Sequence, residues 1–228
     1  MISKIMTIAA AAFIMSASLV TAATVDINTI DGVWTNVGPT TGINGSGTDT
    51  ISWGTGPDGP SSYVFTAAGT PITDALSPFY IGEFTHNNNP IYASGTMLTN
   101  ADLQVHMTGT IDGTAFDMTS TFTFLHDETP NIASQCPYSP IPCPDIVTIS
   151  NAQNLSDIVN VGGVDYTIAL SGFLQNGVYT TQFLSQEGQA NSAELFASVT
   201  STVPLPSTGL LLLGGLGLMG AARLRRKS

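Results

Sequence analysis

The sequence predicts an all-β protein, best described as a two-layer antiparallel β-sandwich of jelly-roll type. Apolar and polar residues alternate in short runs, and no stretch carries a helical apolar stripe. Glycine, asparagine, aspartate and proline separate about ten of these runs. Such alternation leaves one face of each sheet in water, as a sandwich requires. A closed barrel is the alternative architecture.

The clearest pair of strands flanks Asp112-Gly113, a dipeptide that favours a tight hairpin because glycine accepts a positive φ. Apolar residues occupy alternate positions on both sides of this turn: Leu103, Val105 and Met107 before it, and Phe116, Met118, Phe122 and Phe124 after it. Further strands are predicted at 32–37, 48–53, 61–67, 79–84, 145–150, 166–170, 178–185 and 195–200.

The amino-terminal segment has the pattern of a secretory signal peptide. Lys4 precedes an apolar run over 5–20, and small residues follow at 21–23. This run is shorter than the roughly 20 residues that a membrane span needs, and no basic cluster follows it. We expect the export translocon to engage residues 1–23 and cleavage near Ala22 or Ala23. Residues 24–202 then form the β-sandwich domain.

The carboxyl-terminal segment, 203–228, combines a short motif, an apolar stretch and a basic end. The motif is Val203, Pro204, Leu205 and Pro206, and four basic residues follow Ala222. A helix over 209–222 would rise about 21 Å, against a hydrocarbon core of about 30 Å, so it makes a short transmembrane helix. The basic end favours the cytoplasmic face. We expect the tail to hold the protein in the inner membrane with the domain outside; a buried helix is the alternative.

This tail resembles the VPLP-type variant of the PEP-CTERM sorting signals. The resemblance implies an exosortase-type processing enzyme that cuts near the motif, so that transient inner-membrane anchoring is followed by release to the cell surface or extracellular space. Ser207-Thr208 stands where many relatives have alanine, which leaves the cleavage position open. Exopolysaccharide is a candidate partner.

The inner region resembles the THxN family of PEP-CTERM proteins. The resemblance rests on the segments 32–34, 51–54 and 82–91, and in the last of these Thr85, His86 and Asn88 supply the Thr-His-x-Asn motif. The segment 126–131 and the two cysteines also fit. This family is defined by sequence alone, so the resemblance implies a location and an architecture but no chemistry.

Charges are segregated along the chain. The five Lys and Arg residues lie at positions 4, 223, 225, 226 and 227, and all 16 acidic residues lie between Thr24 and Thr202. The domain therefore carries a charge of about −16 and has no cation except a protonated histidine. This balance excludes electrostatic binding of nucleic acid, whose phosphates need Lys and Arg.

The two cysteines, Cys136 and Cys143, bracket a proline-rich turn. In an oxidising envelope compartment a disulfide between them is expected. A metal site is the alternative, but it would need further thiols or histidines at suitable spacing.

Two acid-rich segments are candidate calcium sites. Asp26, Asn28 and Asp31 offer three oxygen side chains within one expected turn before Gly32. Asp127 and Glu128, together with Asn131, form the second candidate. Oxygen ligands in a strongly negative domain suit a hard divalent ion. Solvated loop carboxylates are the alternative interpretation.

Three histidines, His86, His106 and His126, invite a metal or catalytic hypothesis, since neutral imidazoles bind Zn²⁺ and can act as bases. His126 is the strongest candidate because Asp127 and Glu128 follow it. We expect His86 to lie in a loop and His106 on the solvent face of a strand. No nucleophile motif is visible, so no catalytic residue is assigned and no enzyme is predicted.

The sequence therefore predicts an exported, exosortase-sorted surface or matrix protein with a structural or adhesive role. A calcium- or carbohydrate-binding module is the first alternative. An envelope hydrolase that uses His126 and its neighbouring acids is the second.

Overall fold

A computed structural model describes residues 23–75, 78–130, 143–150, 158–175 and 177–202. These residues form thirteen strands and no helix, so none of the chain described here could cross a membrane as a helix. The strands are β1 (Val25–Gly38), β2 (Ile43–Asn44), β3 (Thr50–Trp53), β4 (Ser61–Ala67), β5 (Phe79–Asn88), β6 (Asn100–Ile111), β7 (Thr114–Asp127), β8 (Asp145–Ile149), β9 (Val159–Val161), β10 (Val164–Gln175), β11 (Val178–Thr180), β12 (Gln182–Ser185) and β13 (Gln189–Thr202).

The strands build two curled antiparallel sheets. The smaller sheet has five strands in the order β1-β6-β7-β8-β12. The larger has eight: seven follow the order β11-β10-β13-β5-β4-β3-β2, and β9 pairs with β10 outside this path. All the pairings are antiparallel. The predicted all-β antiparallel class is confirmed. The predicted signal peptide, sorting motif and tail helix lie outside the described residues.

An aromatic core joins the two sheets. Phe124 of β7 packs against Phe84 of β5 with ring centroids 5.4 Å apart, and against Trp34 of β1 at 5.1 Å. Phe84 also contacts Tyr63 of β4 at 4.8 Å. All four side chains are buried. The predicted shared face of Phe116, Met118, Phe122 and Phe124 is confirmed, because all four are buried on β7 while their neighbours are less so.

The hairpin at Asp112-Gly113 is also confirmed. Both residues have positive φ values, 50° and 76°, and Ile111 pairs with Thr114 across the turn. This turn fixes the register of β6 against β7, so that buried Leu103 and Met107 of β6 lie opposite buried Phe122 and Met118 of β7.

Several predicted strand limits are wrong. β5 does not end at Phe84 but continues to Asn88, and β1 begins at Val25 rather than at Gly32. The predicted strand over 178–185 is divided between β11 and β12, which belong to different sheets. β2 and β9 were not predicted. They have only two and three residues, and so short a segment shows no measurable alternation.

Candidate functional site

A buried cluster of two histidines and a carboxylate lies between the two sheets. His86 belongs to β5 of the larger sheet, whereas His126 on β7 and Asp145 on β8 belong to the smaller one. One nitrogen or oxygen atom from each lies within 4.8 Å of the other two. All three residues are buried.

A bulge in β5 turns His86 toward the interior. Phe79 and Ile81 are buried at odd positions, but Phe84, His86 and Asn88 are buried at even positions. On the partner strand β13, Phe196 pairs with Tyr80, but the preceding residue, Leu195, pairs with Gly82. Ile81 is therefore an extra residue in β5, and the alternation of buried and partly exposed positions changes there. One extra residue in a strand reverses the face of every residue after it. The bulge thus buries two residues of the Thr-His-x-Asn motif.

His126 continues the inward face of β7, two residues after Phe124. Its Nδ1 shares a hydrogen bond with the hydroxyl of Tyr63. Its Nε2 lies 3.2 Å from Oε2 of Glu128 and 3.8 Å from Oδ2 of Asp145. The imidazole side chain has no exposed surface, so solvent and dissolved substrates do not reach it in this conformation.

Asp145 is held by one of its two carboxylate oxygens. Oδ1 accepts hydrogen bonds from the backbone N–H of Thr129 at 2.8 Å and from its hydroxyl at 3.3 Å. Oδ2 has no hydrogen-bond partner among the described residues, and it faces His126. The carboxylate therefore presents one free oxygen to the cluster.

His86 is enclosed by aromatic rings. Trp53 stacks on it with centroids 5.5 Å apart, Tyr63 meets it edge-on at 5.0 Å, and His126 lies at 5.2 Å. Within the described part of the chain, neither ring nitrogen of His86 has a hydrogen-bond partner. An unmade bond at a buried polar atom costs about 1–3 kcal/mol.

Asn88, two residues beyond His86 on β5, is also buried. Its Nδ2 donates to the carbonyl of Ser185 at 3.0 Å, which ties the end of β5 to the end of β12. Its Oδ1 and the Ser185 hydroxyl have no partner in the described ranges. Thr85, the first residue of the motif, points outward, where its hydroxyl lies 2.7 Å from that of Ser192.

Burial and neighbouring charges shift the pKa values of this cluster. Burial lowers the pKa of His86 well below its usual 6.5, and His126 lowers it further. Burial, followed by the charge of Glu128, raises the pKa of Asp145 to about 8. Burial, with Asp145 and Glu128, raises the pKa of the Tyr63 hydroxyl well above 10, so it remains protonated.

The structure brings together only part of the predicted set. His86 lies within β5, so the expected loop position is wrong; a run of asparagines, typical of turns, here belongs to a paired strand. His106 lies on the solvent side of β6, as expected, where its Nε2 contacts Asp117 at 2.7 Å. It takes no part in the cluster.

The turn expected at the first calcium candidate is not formed. Asp26, Asn28 and Asp31 lie along the extended strand β1. Asp26 and Asp31 are separated by roughly 15 Å at about 3.3 Å per residue, too far to share one ion. Asp26 instead accepts a hydrogen bond from the backbone N–H of Asp74 at 2.9 Å.

The second calcium candidate is divided between two faces. Asp127 is exposed at the end of β7, whereas Glu128 folds inward with 7% of its side chain exposed. Trp53 Nε1 donates to Glu128 Oε2 at 3.5 Å, and this carboxylate belongs to the histidine cluster. Asn131 lies outside the described residues.

Asp145 is the site residue that the sequence analysis did not identify. It stands at the first position of a predicted strand after Pro144, with no neighbouring histidine or acid in the sequence that would mark it. Cys143, two residues before it, is buried, and its expected partner Cys136 lies outside the described residues, so the disulfide stays a prediction.

Residues 202–227 match the family model of the PEP-CTERM protein-sorting motif. The predicted sorting signal is confirmed. It indicates an exported protein that is anchored transiently in the membrane and processed by an exosortase. No curated protein matches the chain significantly. The resemblance to the THxN family stays a prediction.

Proposed function

We propose that this chain is a cell-surface or extracellular-matrix protein with a structural or adhesive role and no catalytic activity. The observation that carries the proposal is the sorting motif at 202–227, which sends the protein out of the cell. The same proposal includes membership of the THxN family and binding to exopolysaccharide as a partner.

The enclosure of the histidines supports a non-catalytic role. The hydrolase alternative requires His126 to meet a substrate, but its side chain has no exposed surface and lies beneath Trp53 and Tyr63. A general base must come within hydrogen-bond reach of the proton it removes. Trp34, Trp53 and Tyr63, three aromatics that could have stacked on a sugar, are buried as well.

The sorting step is tested by substituting Pro204 and Pro206 with alanine in the exporting host. The native chain is expected in the surface or extracellular fraction at the mass of a processed protein. The double variant is expected to stay in the membrane fraction with its tail, because the processing enzyme no longer recognises the motif. Ser207→Ala is the matched control, since alanine is common there in relatives, and it should sort normally. Identical fractionation of the native chain and the double variant would contradict the sorting step.

The structural or adhesive role is tested in a strain without the protein. We expect reduced cell aggregation and a matrix that retains less polysaccharide, both restored by the native chain but not by the Pro204 and Pro206 double variant. Unchanged aggregation and matrix in the deletion strain would rule out this role while leaving the sorting result intact.

A further inference from the structure

We infer that His86, His126 and Asp145 bind one divalent transition-metal ion, for which Zn²⁺ is the probe, and that this ion ties the two sheets together. The site is independent of the surface role proposed above. Its ligands come from β5 on one sheet and from β7 and β8 on the other, so a bound ion would bridge the sandwich.

The donor atoms suit such an ion. Both nitrogens of His86 and Oδ2 of Asp145 lack hydrogen-bond partners among the described residues, although all three atoms are buried. Nε2 of His126 faces the same space. Imidazole and carboxylate together suit Zn²⁺ and similar first-row ions, whereas Ca²⁺ takes oxygen ligands.

Glu128 is the candidate fourth ligand. Its Oε2 lies 3.2 Å from Nε2 of His126, on the side of the ring that faces Asp145. Two imidazoles and two carboxylates would complete a four-coordinate site without water, the arrangement of a structural rather than a catalytic ion.

Charge favours a metal at this place. The carboxylates of Asp145 and Glu128 are both buried, and no Lys or Arg occurs between Thr24 and Thr202. Buried carboxylates need a cation or a proton nearby. A divalent ion would neutralise both, and few other cations are available to this domain.

The residues around the ligands already fix their orientation. The Tyr63 hydroxyl holds Nδ1 of His126, which leaves Nε2 for the ion, and Thr129 holds Oδ1 of Asp145, which leaves Oδ2. Hydrogen bonds of this kind set the ring orientation and tautomer of metal ligands. When Nε2 binds a metal, Nδ1 carries the proton and donates to the Tyr63 oxygen.

The ligands would move inward on binding. Ligand atoms of a tetrahedral zinc site lie about 3.3 Å apart, given metal–ligand distances of about 2.0–2.1 Å. The present separations are all within 4.8 Å, so each pair of ligand atoms needs to approach by no more than about 1.5 Å. Since the site is enclosed, the ion would enter while the domain folds.

Metal binding is tested on the full-length chain, which is unfolded in denaturant with a chelator, refolded in mild detergent with or without Zn²⁺, and freed of unbound ion. We expect one Zn²⁺ per chain by elemental analysis. The melting temperature should rise by about 5–10 °C at a hundredfold excess over Kd. Ca²⁺ and Mg²⁺ at the same concentration should not produce this rise. Absence of stoichiometric zinc, or an equal effect of Ca²⁺, would overturn the inference.

Variants locate the ion. Asp145→Asn keeps the shape of the side chain and its bonds to Thr129 but removes the charged ligand, and His86→Gln removes an imidazole. Each is expected to weaken zinc binding at least a hundredfold, while His106→Gln, on the solvent face, should bind like the native chain. Native affinity in Asp145→Asn would overturn the assignment.

A measurement on the native chain covers the case in which these variants do not fold. Co²⁺ in place of zinc should give the visible absorption of a four-coordinate ion and quench the fluorescence of Trp53, whose ring lies 5.5 Å from that of His86. Absorption without quenching would place the ion elsewhere and contradict the inference.

Discussion

His86 and Asp145 are buried ionisable residues whose pKa values shift in opposite directions. The pKa of His86 lies below the 6.5 of the unfolded chain, so its contribution to stability is present above pH 6.5 and is lost as the pH falls. The pKa of Asp145 is about 8, against 3.8 when unfolded. Its contribution is present below pH 3.8 and is lost as the pH rises toward 8. Between 3.8 and 6.5 the two effects oppose each other.

Asp145→Asn should therefore change how stability depends on pH in the metal-free protein. With chelator present, the variant is expected to gain stability relative to the native chain as the pH rises from 5 to 8, by more than about 1 kcal/mol, because it has no carboxylate to ionise. Urea unfolding at pH 5, 6.5 and 8 measures the difference. The titratable groups that interact with Asp145, namely Tyr63, His126, Glu128 and the buried Glu187, are the same in both proteins.

Exposed Asp127→Asn is the control for this experiment. Its side chain lies on the solvent side at the end of β7, so its stability should parallel that of the native chain over the same pH range. If the free energy of unfolding of Asp145→Asn also changed with pH in parallel with that of the native chain, the raised pKa of Asp145 would be refuted.

At the residue scale, the sequence identified two of the three cluster members as candidates, but it did not indicate that they lie close together in the fold. His126 could be placed because it keeps the phase of Phe122 and Phe124. His86 could not, since its inward position depends on the bulge at Ile81 and Gly82. Asp145 shares the inward face of β8 with Val147 and Ile149, but the buried Ile146 between them breaks the alternation, and an acid at the start of a strand after Pro144 is ordinarily exposed.

At the scale of elements, the bulge in β5 depends on Gly82, which has a φ of 156°. A side chain there would collide with the carbonyl oxygen of Thr66 and the ring of Phe65 on β4. The long runs of β6 and β7 were predictable because the period is uninterrupted over many residues and a turn of known type joins them. Bulges interrupt the period without a strong local signal, which is why the end of β5 was not predicted.

The close pairing of β1 with β6 predicts that adding a single methyl group at Gly109 destabilises the domain. Gly109 of β6 lies opposite Ile27 beside the bulge in β1, and an added Cβ would overlap the carbonyl oxygen of Asp26. Gly109→Ala should lower the free energy of unfolding by about 1–3 kcal/mol, because the strands must separate to admit it. Chemical denaturation measures the loss.

Gly69→Ala is the matched control, since an added Cβ there meets no atom within 4 Å. It should change stability by no more than about 0.5 kcal/mol. Equal losses in the two variants would show that β1 and β6 are not packed as closely as described.

At the scale of the whole molecule, the domain carries 16 acids without a Lys or Arg to pair with them. Self-repulsion of this size opposes the compact state. Added salt reduces it, since the screening length falls from about 10 Å at 0.1 M to about 3 Å at 1 M. We expect the melting temperature to rise by about 3–6 °C over this range of NaCl, as followed by circular dichroism.

A charge-reduced variant provides the control. Asp31, Asp58 and Asp127 are exposed, so replacing all three with asparagine should leave the fold intact and shrink the salt effect. A melting temperature that does not respond to salt in either protein would exclude repulsion as a significant term.

The same segregation of charge determines which proteases can cleave the domain. Trypsin-like enzymes cleave after lysine and arginine, and the chain offers them no such bond between Lys4 and Arg223. Once the two ends are gone, the remaining polypeptide is inert to this entire class of protease whether it is folded or not. A tryptic digest for mass spectrometry would leave it as one very large acidic fragment, so a survey of surface proteins by that route would overlook it even where it is abundant.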